Sequence, residues 1–185
     1  MSNRKGKIIV ISAPSGTGKS TVINRLLELR PELSLSVSAT TRAPRTGEAD
    51  GISYYFVTRE HFREMIDNGE FVEYAEYAGE YYGTPRKSLY EHVDGGQDVL
   101  LEIEVQGTRQ IMALEPDAVT IFIVPPDMEE LERRLRSRGT DSEEKLTARL
   151  KIARQELEEK LYYAHIVVND SIDRAAEEIS LIIDS

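Results

Sequence analysis

The sequence predicts an α/β fold: a mostly parallel sheet core flanked by helices, with a small antiparallel lobe inserted into the chain and a charged helical segment late in it. Three observations predict it. Short apolar runs alternate with helical stripes, a Gly/Ser/Pro cluster joins the first run to the first stripe, and one Tyr-rich stretch interrupts the alternation.

Taken in order, Ile8-Ile9-Val10-Ile11 is the first strand, and Val22, Ile23, Leu26 and Leu27 have the spacing of one helical face, so the chain reads strand, loop, helix. From residue 34 to 85 the pattern changes. Tyr54-Tyr55-Phe56-Val57 and Phe71-Val72-Glu73-Tyr74 sit among Gly and charged residues, which predicts antiparallel strands, with a short helix near Thr58 to Asn68 followed by Gly69. Most of the nine tyrosines fall here, each offering an apolar ring and a hydroxyl. Val99 to Val105, Val119 to Val124 and Ile166-Val167-Val168 are β-rich runs, expected in a buried parallel sheet; Pro125-Pro126 stops the second. Asp127-x-x-Glu130 opens a helix with Met128, Leu131 and Leu135. Thr140-x-x-Glu143 opens another with Leu146, Leu150, Leu157 and Leu161, and Gly139 separates the two. Ile172, Ala175, Ala176, Ile179, Ile182 and Ile183 share one face of a last helix packed on the sheet.

Composition narrows the function. The chain has 185 residues, 23 Lys+Arg against 33 Asp+Glu, and a formal charge of −10, so phosphate must be met by a few placed cations rather than by a basic surface. Nucleic acid is not an expected partner. The absence of cysteine excludes a disulfide framework and a thiolate metal site, and His61, His92 and His165 lie far apart in sequence. The apolar run near the start spans only Ile8 to Ile11, too short for a signal-peptide core or a membrane span, so a cytoplasmic location without membrane contact is expected. Oligomeric state is left open.

The strongest local signal is Ala13-Pro14-Ser15-Gly16-Thr17-Gly18-Lys19-Ser20, between the first strand and the first helix, with Thr21 next. This is a phosphate loop in the right context. Glycines let backbone amides point at phosphate oxygens, the helix start adds its positive dipole end, Lys19 supplies a cation, and the Ser20 hydroxyl suits Mg²⁺. The general pattern opens with Gly where this chain has Ala13. That is tolerable if Ala13 keeps an ordinary φ, whereas Gly16 and Gly18 are expected to need special backbone angles.

A phosphate loop alone covers GTPases, ATPases and small kinases. The stretch Thr40-Thr41-Arg42-Ala43-Pro44-Arg45-Thr46-Gly47-Glu48-Ala49-Asp50-Gly51-Ile52-Ser53-Tyr54-Tyr55-Phe56 resembles the signature of guanylate kinases, which are nucleoside-monophosphate kinases that move the γ-phosphoryl group of ATP to GMP. With the loop before it and the segments after it, the resemblance covers nearly the whole chain. It implies a P-loop core (1–33, 86–126 and 163–185), a GMP-binding lobe (34–85), and a lid with its adjoining helix (127–162). It also implies ATP and GMP as ligands, with deoxy-GMP as a further acceptor and Mg²⁺ arriving with ATP.

Carried over by residue, the resemblance gives the GMP phosphate to Arg42 and Arg45 with the hydroxyls of Tyr54 and Tyr82, and guanine to Glu73 with Ser38 and Thr84. The chemistry agrees: a guanidinium fork matches phosphate, and a carboxylate accepts from both N1–H and the amine of guanine, a donor pair that adenine lacks. Glu102 and Glu104 alternate with Leu101, Ile103 and Val105, so both acids leave the strand on one face. By resemblance Glu104 meets guanine and Glu102 the outer shell of Mg²⁺; both stand where the family often has Asp. Arg138-Gly139-Thr140 and Arg149-Leu150 resemble the lid, whose arginines close over the ATP phosphates, and Asn169-Asp170 resembles the adenine-edge contact. Lys19, Arg42, Arg138 and Arg149 are then the catalytic cations, and lid and lobe are expected to close on the core. Two alternatives stay open: a monophosphate kinase of other base specificity, and a non-enzymatic protein-binding module of the same fold, against which Gly18-Lys19-Ser20 argues.

Overall fold

The computed structural model describes residues 4–137 and 142–185. In chain order the elements are β1 (Ile8–Ser12), α1 (Lys19–Leu29), β2 (Ser34–Leu35), β3 (Ala39–Thr40), β4 (Tyr55–Phe56), α2 (Arg59–Asp67), β5 (Phe71–Tyr77), β6 (Glu80–Pro85), α3 (Arg86–Asp94), β7 (Val99–Glu102), α4 (Val105–Leu114), β8 (Val119–Val124), α5 (Met128–Ser137), α6 (Glu143–Glu158), β9 (His165–Val168) and α7 (Ile172–Asp184). Chain contacts divide them into two compact units, one made of the residues up to Ile8 with Leu33–Ala118, the other of Ile9–Glu32 with Val119–Ser185.

In the second unit β1, β8 and β9 pair in parallel, Ile9 opposite Val119 and Ile121 opposite His165. Every residue of β1 is buried, as an apolar strand covered on both faces must be. α1 buries Val22, Ile23 and Leu26, and α7 buries Ala175, Ala176, Ile179 and Ile183; Ile172, expected on that face, is 42% exposed at the helix start. β9 is not the buried strand its sequence suggests: Ile166 and Val168 are 44% and 43% exposed, because only one of its faces packs inward.

α5 begins where Asp127 Oδ1 accepts from Glu130 N at 2.7 Å, the cap expected from sequence. α6 departs from expectation. Its cap is Ser142, whose hydroxyl accepts from Lys145 N, while Thr140 and Gly139 lie outside the described residues. The helix also stops at Glu158, so Leu161 falls in a 3-10 turn (Glu159–Tyr162) and is 80% exposed rather than on the buried stripe.

The first unit holds the parallel pair β2–β7 and a four-stranded sheet in the order β4-β3-β6-β5. This second sheet is antiparallel as expected at β5–β6 and β3–β6, but β3 and β4 run parallel. A helix-free crossover makes that possible: the chain from Thr41 to Tyr54 loops back to the same sheet edge. β5 and β6 are joined by Ala78 (φ 52°) and Gly79 (φ 81°), two successive left-handed residues that match strand twist in a two-residue hairpin. Phe62 of α2 anchors the lobe, fully buried and stacked 4.5 Å from Phe71 and 5.4 Å from Tyr81. Truncating it to Ala would cost about 3–5 kcal/mol. Another correction concerns 99–105: the strand ends at Glu102, Glu104 is the N-cap of α4 in extended conformation, and Val105 opens the helix.

Candidate active site

In the second unit, the loop from Ala13 to Gly18 connects β1 to α1. Gly16 (φ 89°) and Gly18 (φ 93°) take the left-handed conformation, and Ala13 is not among the positive-φ residues. Gly18 is also the N-cap of α1, so the first turn presents Lys19, Ser20 and Thr21; Lys19 is half-buried and the two hydroxyl residues are exposed. Ala13, Pro14 and Thr17 are buried, which fixes the loop from beneath.

Side chains from later in the chain brace this loop. Asn169, 3% exposed, donates its Nδ2 to Thr17 O at 2.8 Å, and its own N–H reaches Val124 O. Arg134 donates to Thr17 O at 3.0 Å and to Asn169 O at 2.9 Å, while Glu130 accepts from its Nε at 2.6 Å. Arg149 donates to Ser15 Oγ at 2.8 Å, and Glu156, two turns further along α6, accepts from Ser15 N at 3.3 Å. Of these braces, Arg149 and Asn169 are expected from sequence. The four-residue spacing predicts Arg134 on one helix face with Arg138, but its tie to the loop is not foreseen and Glu156 is not singled out, because a helix charge shows its partner only once the fold is known. Arg138 lies outside the described residues.

In the first unit, Arg42 is 15% exposed and forks onto Glu48, with Nη2 to Oε1 at 2.8 Å and Nη1 to Oε2 at 3.0 Å. Its guanidinium lies over the rings of Tyr54 (5.4 Å) and Phe56 (5.9 Å). Hydrogen bonding to Glu48 holds the Arg42 proton above the ordinary guanidinium range, and Tyr82 contributes in the same direction. Arg42 in turn holds the Glu48 carboxyl below its usual range, helped by Arg45 N, which donates to Glu48 Oε2 at 2.7 Å. The Arg45 side chain is exposed. Tyr54 and Tyr82 meet edge to face at 6.1 Å, and burial, then the negative charge of Glu102, keeps the Tyr54 phenol protonated above its usual range.

Glu73 is the unusual group. It is 4% exposed, opposite Thr84 in the β5–β6 register, and its Oε1 accepts from Thr84 Oγ1 at 2.7 Å. Burial pushes its carboxyl up to about 7; the Thr84 hydrogen bonds pull down, and the charge of Glu104 adds to the rise. Ser38 is half-buried, and its carbonyl accepts from Tyr55 N. Thus Arg42, Tyr54 and Tyr82 come together as one cluster, and Glu73, Thr84 and Glu104 as another. Glu48 is the member that sequence reasoning misses, although the turn bond from Glu48 N to Arg45 O at 3.0 Å follows from the Pro-Arg-Thr-Gly-Glu stretch.

Comparisons with known proteins identify the family. The guanylate kinase family model matches residues 5–185. A guanylate kinase of Trichodesmium erythraeum is 51% identical over 178 residues, covering 96% of each chain. One from Clostridioides difficile is 46% identical over 182 residues, covering 98% of this chain and 89% of the relative. A crystal structure of guanylate kinase from Anaplasma phagocytophilum superposes with a TM-score of 0.81 at 43% identity, covering 100% of this chain and 87% of that one. With a phosphate loop on one unit and, on the other, an arginine–tyrosine cluster and a separate buried carboxylate, the chain belongs to the guanylate kinase family.

Proposed function

We propose that the chain phosphorylates GMP, and deoxy-GMP, at the expense of ATP, with its residues divided between donor and acceptor. A phosphate oxygen of GMP attacks the γ-phosphorus in line, the bond to the β–γ bridging oxygen breaks, and ADP leaves with that electron pair. No side chain forms a bond to phosphorus. Catalysis is positioning and charge neutralisation. The amides from Ser15 to Ser20 and Lys19 hold the β- and γ-phosphates, and Arg149, held on the loop through Ser15, adds a cation. Arg138 is the further cation that the sequence assigns to the ATP phosphates. Arg42 and Arg45, with Tyr54 and Tyr82, hold the acceptor phosphate, and Glu73 reads guanine with Ser38, Thr84 and Glu104. Asn169 stands at the adenine side of the loop that it braces.

Among the described residues no group of three or more His, Cys, Asp or Glu could cage a metal. That fits Mg²⁺, which takes few protein ligands and keeps phosphate and water oxygens. The exposed Ser20 hydroxyl in the first turn of α1 would be the hard oxygen ligand, and Glu102 would act through water. Bound with ATP, Mg²⁺ draws charge from the β- and γ-phosphates. Among the described residues, no helix is long and apolar enough to cross a membrane.

Glu73 carries the choice of acceptor, because a buried carboxylate with no cation beside it among the described residues, and one oxygen held by Thr84, is suited to a ligand that brings donors to it. A coupled assay of ADP formation with GMP, AMP, CMP and UMP tests the reading. GMP should turn over far faster than the other three, and equal rates with AMP or UMP would refute it.

A further inference from the structure

Glu73 lies on β5, the edge strand of the second sheet, and α4 covers that edge. Gln110 of α4 fixes the packing by pairing with the Tyr74 backbone, its Nε2 donating to Tyr74 O at 2.6 Å and its Oε1 accepting from Tyr74 N at 3.2 Å. One turn earlier in α4 stands Gly107, buried. A Cβ built on Gly107 would lie 2.1 Å from Glu73 Oε2, 2.9 Å from Cδ and 3.5 Å from Cγ. All three nearest atoms belong to Glu73. The clash is with the carboxylate itself, whose other oxygen is tied to Thr84, so the group cannot swing away without breaking that bond.

We propose that Gly107 is a positioning residue for base selection: its missing side chain is the seat of the Glu73 carboxylate, which sets the oxygens where guanine meets them. The inference rests on the reading of Glu73 as the guanine acceptor. Helix propensity offers no reason for glycine here, because an interior helical position favours Ala over Gly. Nor does the backbone require it, since Gly107 is absent from the positive-φ glycines. What remains is the close approach of one side chain.

This predicts an unusual coupling. In the native background, Gly107→Ala should raise the KM for GMP about tenfold, with kcat and the KM for ATP within about threefold, and should lower the melting temperature. In a Glu73→Ala background the three atoms nearest to the new methyl are gone. There Gly107→Ala should leave the KM for GMP within about twofold of the Glu73→Ala parent and should raise the melting temperature, as Ala replacing Gly in a helix normally does. The sign of the stability change therefore reverses with residue 73, and the rise in the KM for GMP, with kcat and the KM for ATP held, is what a merely structural role for Gly107 would not produce.

The test is that four-variant cycle, read by steady-state kinetics and thermal unfolding. A reversed stability sign together with strongly non-additive GMP KM values supports the proposal. Additive effects, or the same loss of stability in both backgrounds, overturn it. If Gly107→Ala alone fails to fold, recovery of folding in the double variant supports it and continued failure overturns it. Glu73→Gln separates the two layers: an unchanged GMP KM there would remove the guanine reading itself, whereas a raised KM with an additive cycle would remove only Gly107.

Discussion

Burial favours the neutral form of Glu73, whereas its proposed role toward guanine needs the ionised form. With its carboxyl pushed up to about 7, the folded protein keeps a proton there that the unfolded chain has released. The sign follows: this group's contribution to stability is present at low pH and is lost as pH rises from the ordinary carboxylate range through about 7. GMP affinity should move the other way. Below pH 7 the carboxyl must lose its proton before it can accept from guanine, so the KM for GMP should rise as pH falls. The GMP phosphate ionises in a similar range, so the control is Glu73→Gln, whose profile should lack that step. Identical profiles would detach the residue from the base. Lys19 is a contrasting case, because in the proposed mechanism its cation acts on charge that develops during transfer. Lys19→Met should lower kcat about a hundredfold or more with an unchanged melting temperature, and near-normal kcat would remove Lys19 from the chemistry.

At the scale of elements, α5 and α6 hold the loop in place more than their exposed charges suggest. Arg134 spans two backbone carbonyls, those of Thr17 and Asn169, both in buried residues. Arg134→Ala would strip the buried Asn169 carbonyl of this donor and leave Thr17 O with Asn169 Nδ2 alone, which should cost about 1–3 kcal/mol in unfolding experiments and raise the KM for ATP without moving that for GMP. An equal rise for both nucleotides would contradict a local brace. Such ties explain what the sequence showed and what it hid. The first strand, the phosphate loop and the C-terminal helix are legible because apolar spacing and glycines encode them locally. The end of β7 is not: Ile103-Glu104-Val105 continues an alternating β pattern, and only the packing of α4 decides that Val105 is helical. The Glu73–Thr84 pairing depends on strand register, which shifts between Phe71 and Glu73 in a way no residue type announces. Leu161 illustrates the reverse error, an apolar residue in helical phase after the helix has stopped.

Over the whole molecule, a net charge of −10 is reconciled with polyphosphate ligands by placing cations singly rather than broadly. The phosphate loop and its braces lie in one compact unit and the Arg42 and Glu73 clusters in the other, so changes to donor handling and to base reading should separate cleanly in kinetics. The most direct test of the account is the ratio of kcat/KM for GMP over AMP in the native chain and in Glu73→Gln. The account predicts a native preference of at least about a hundredfold and a loss of about 2–4 kcal/mol of GMP selectivity in the variant, with the KM for ATP unchanged. A native chain that accepts AMP as readily as GMP, or a variant that keeps the full preference, would contradict it.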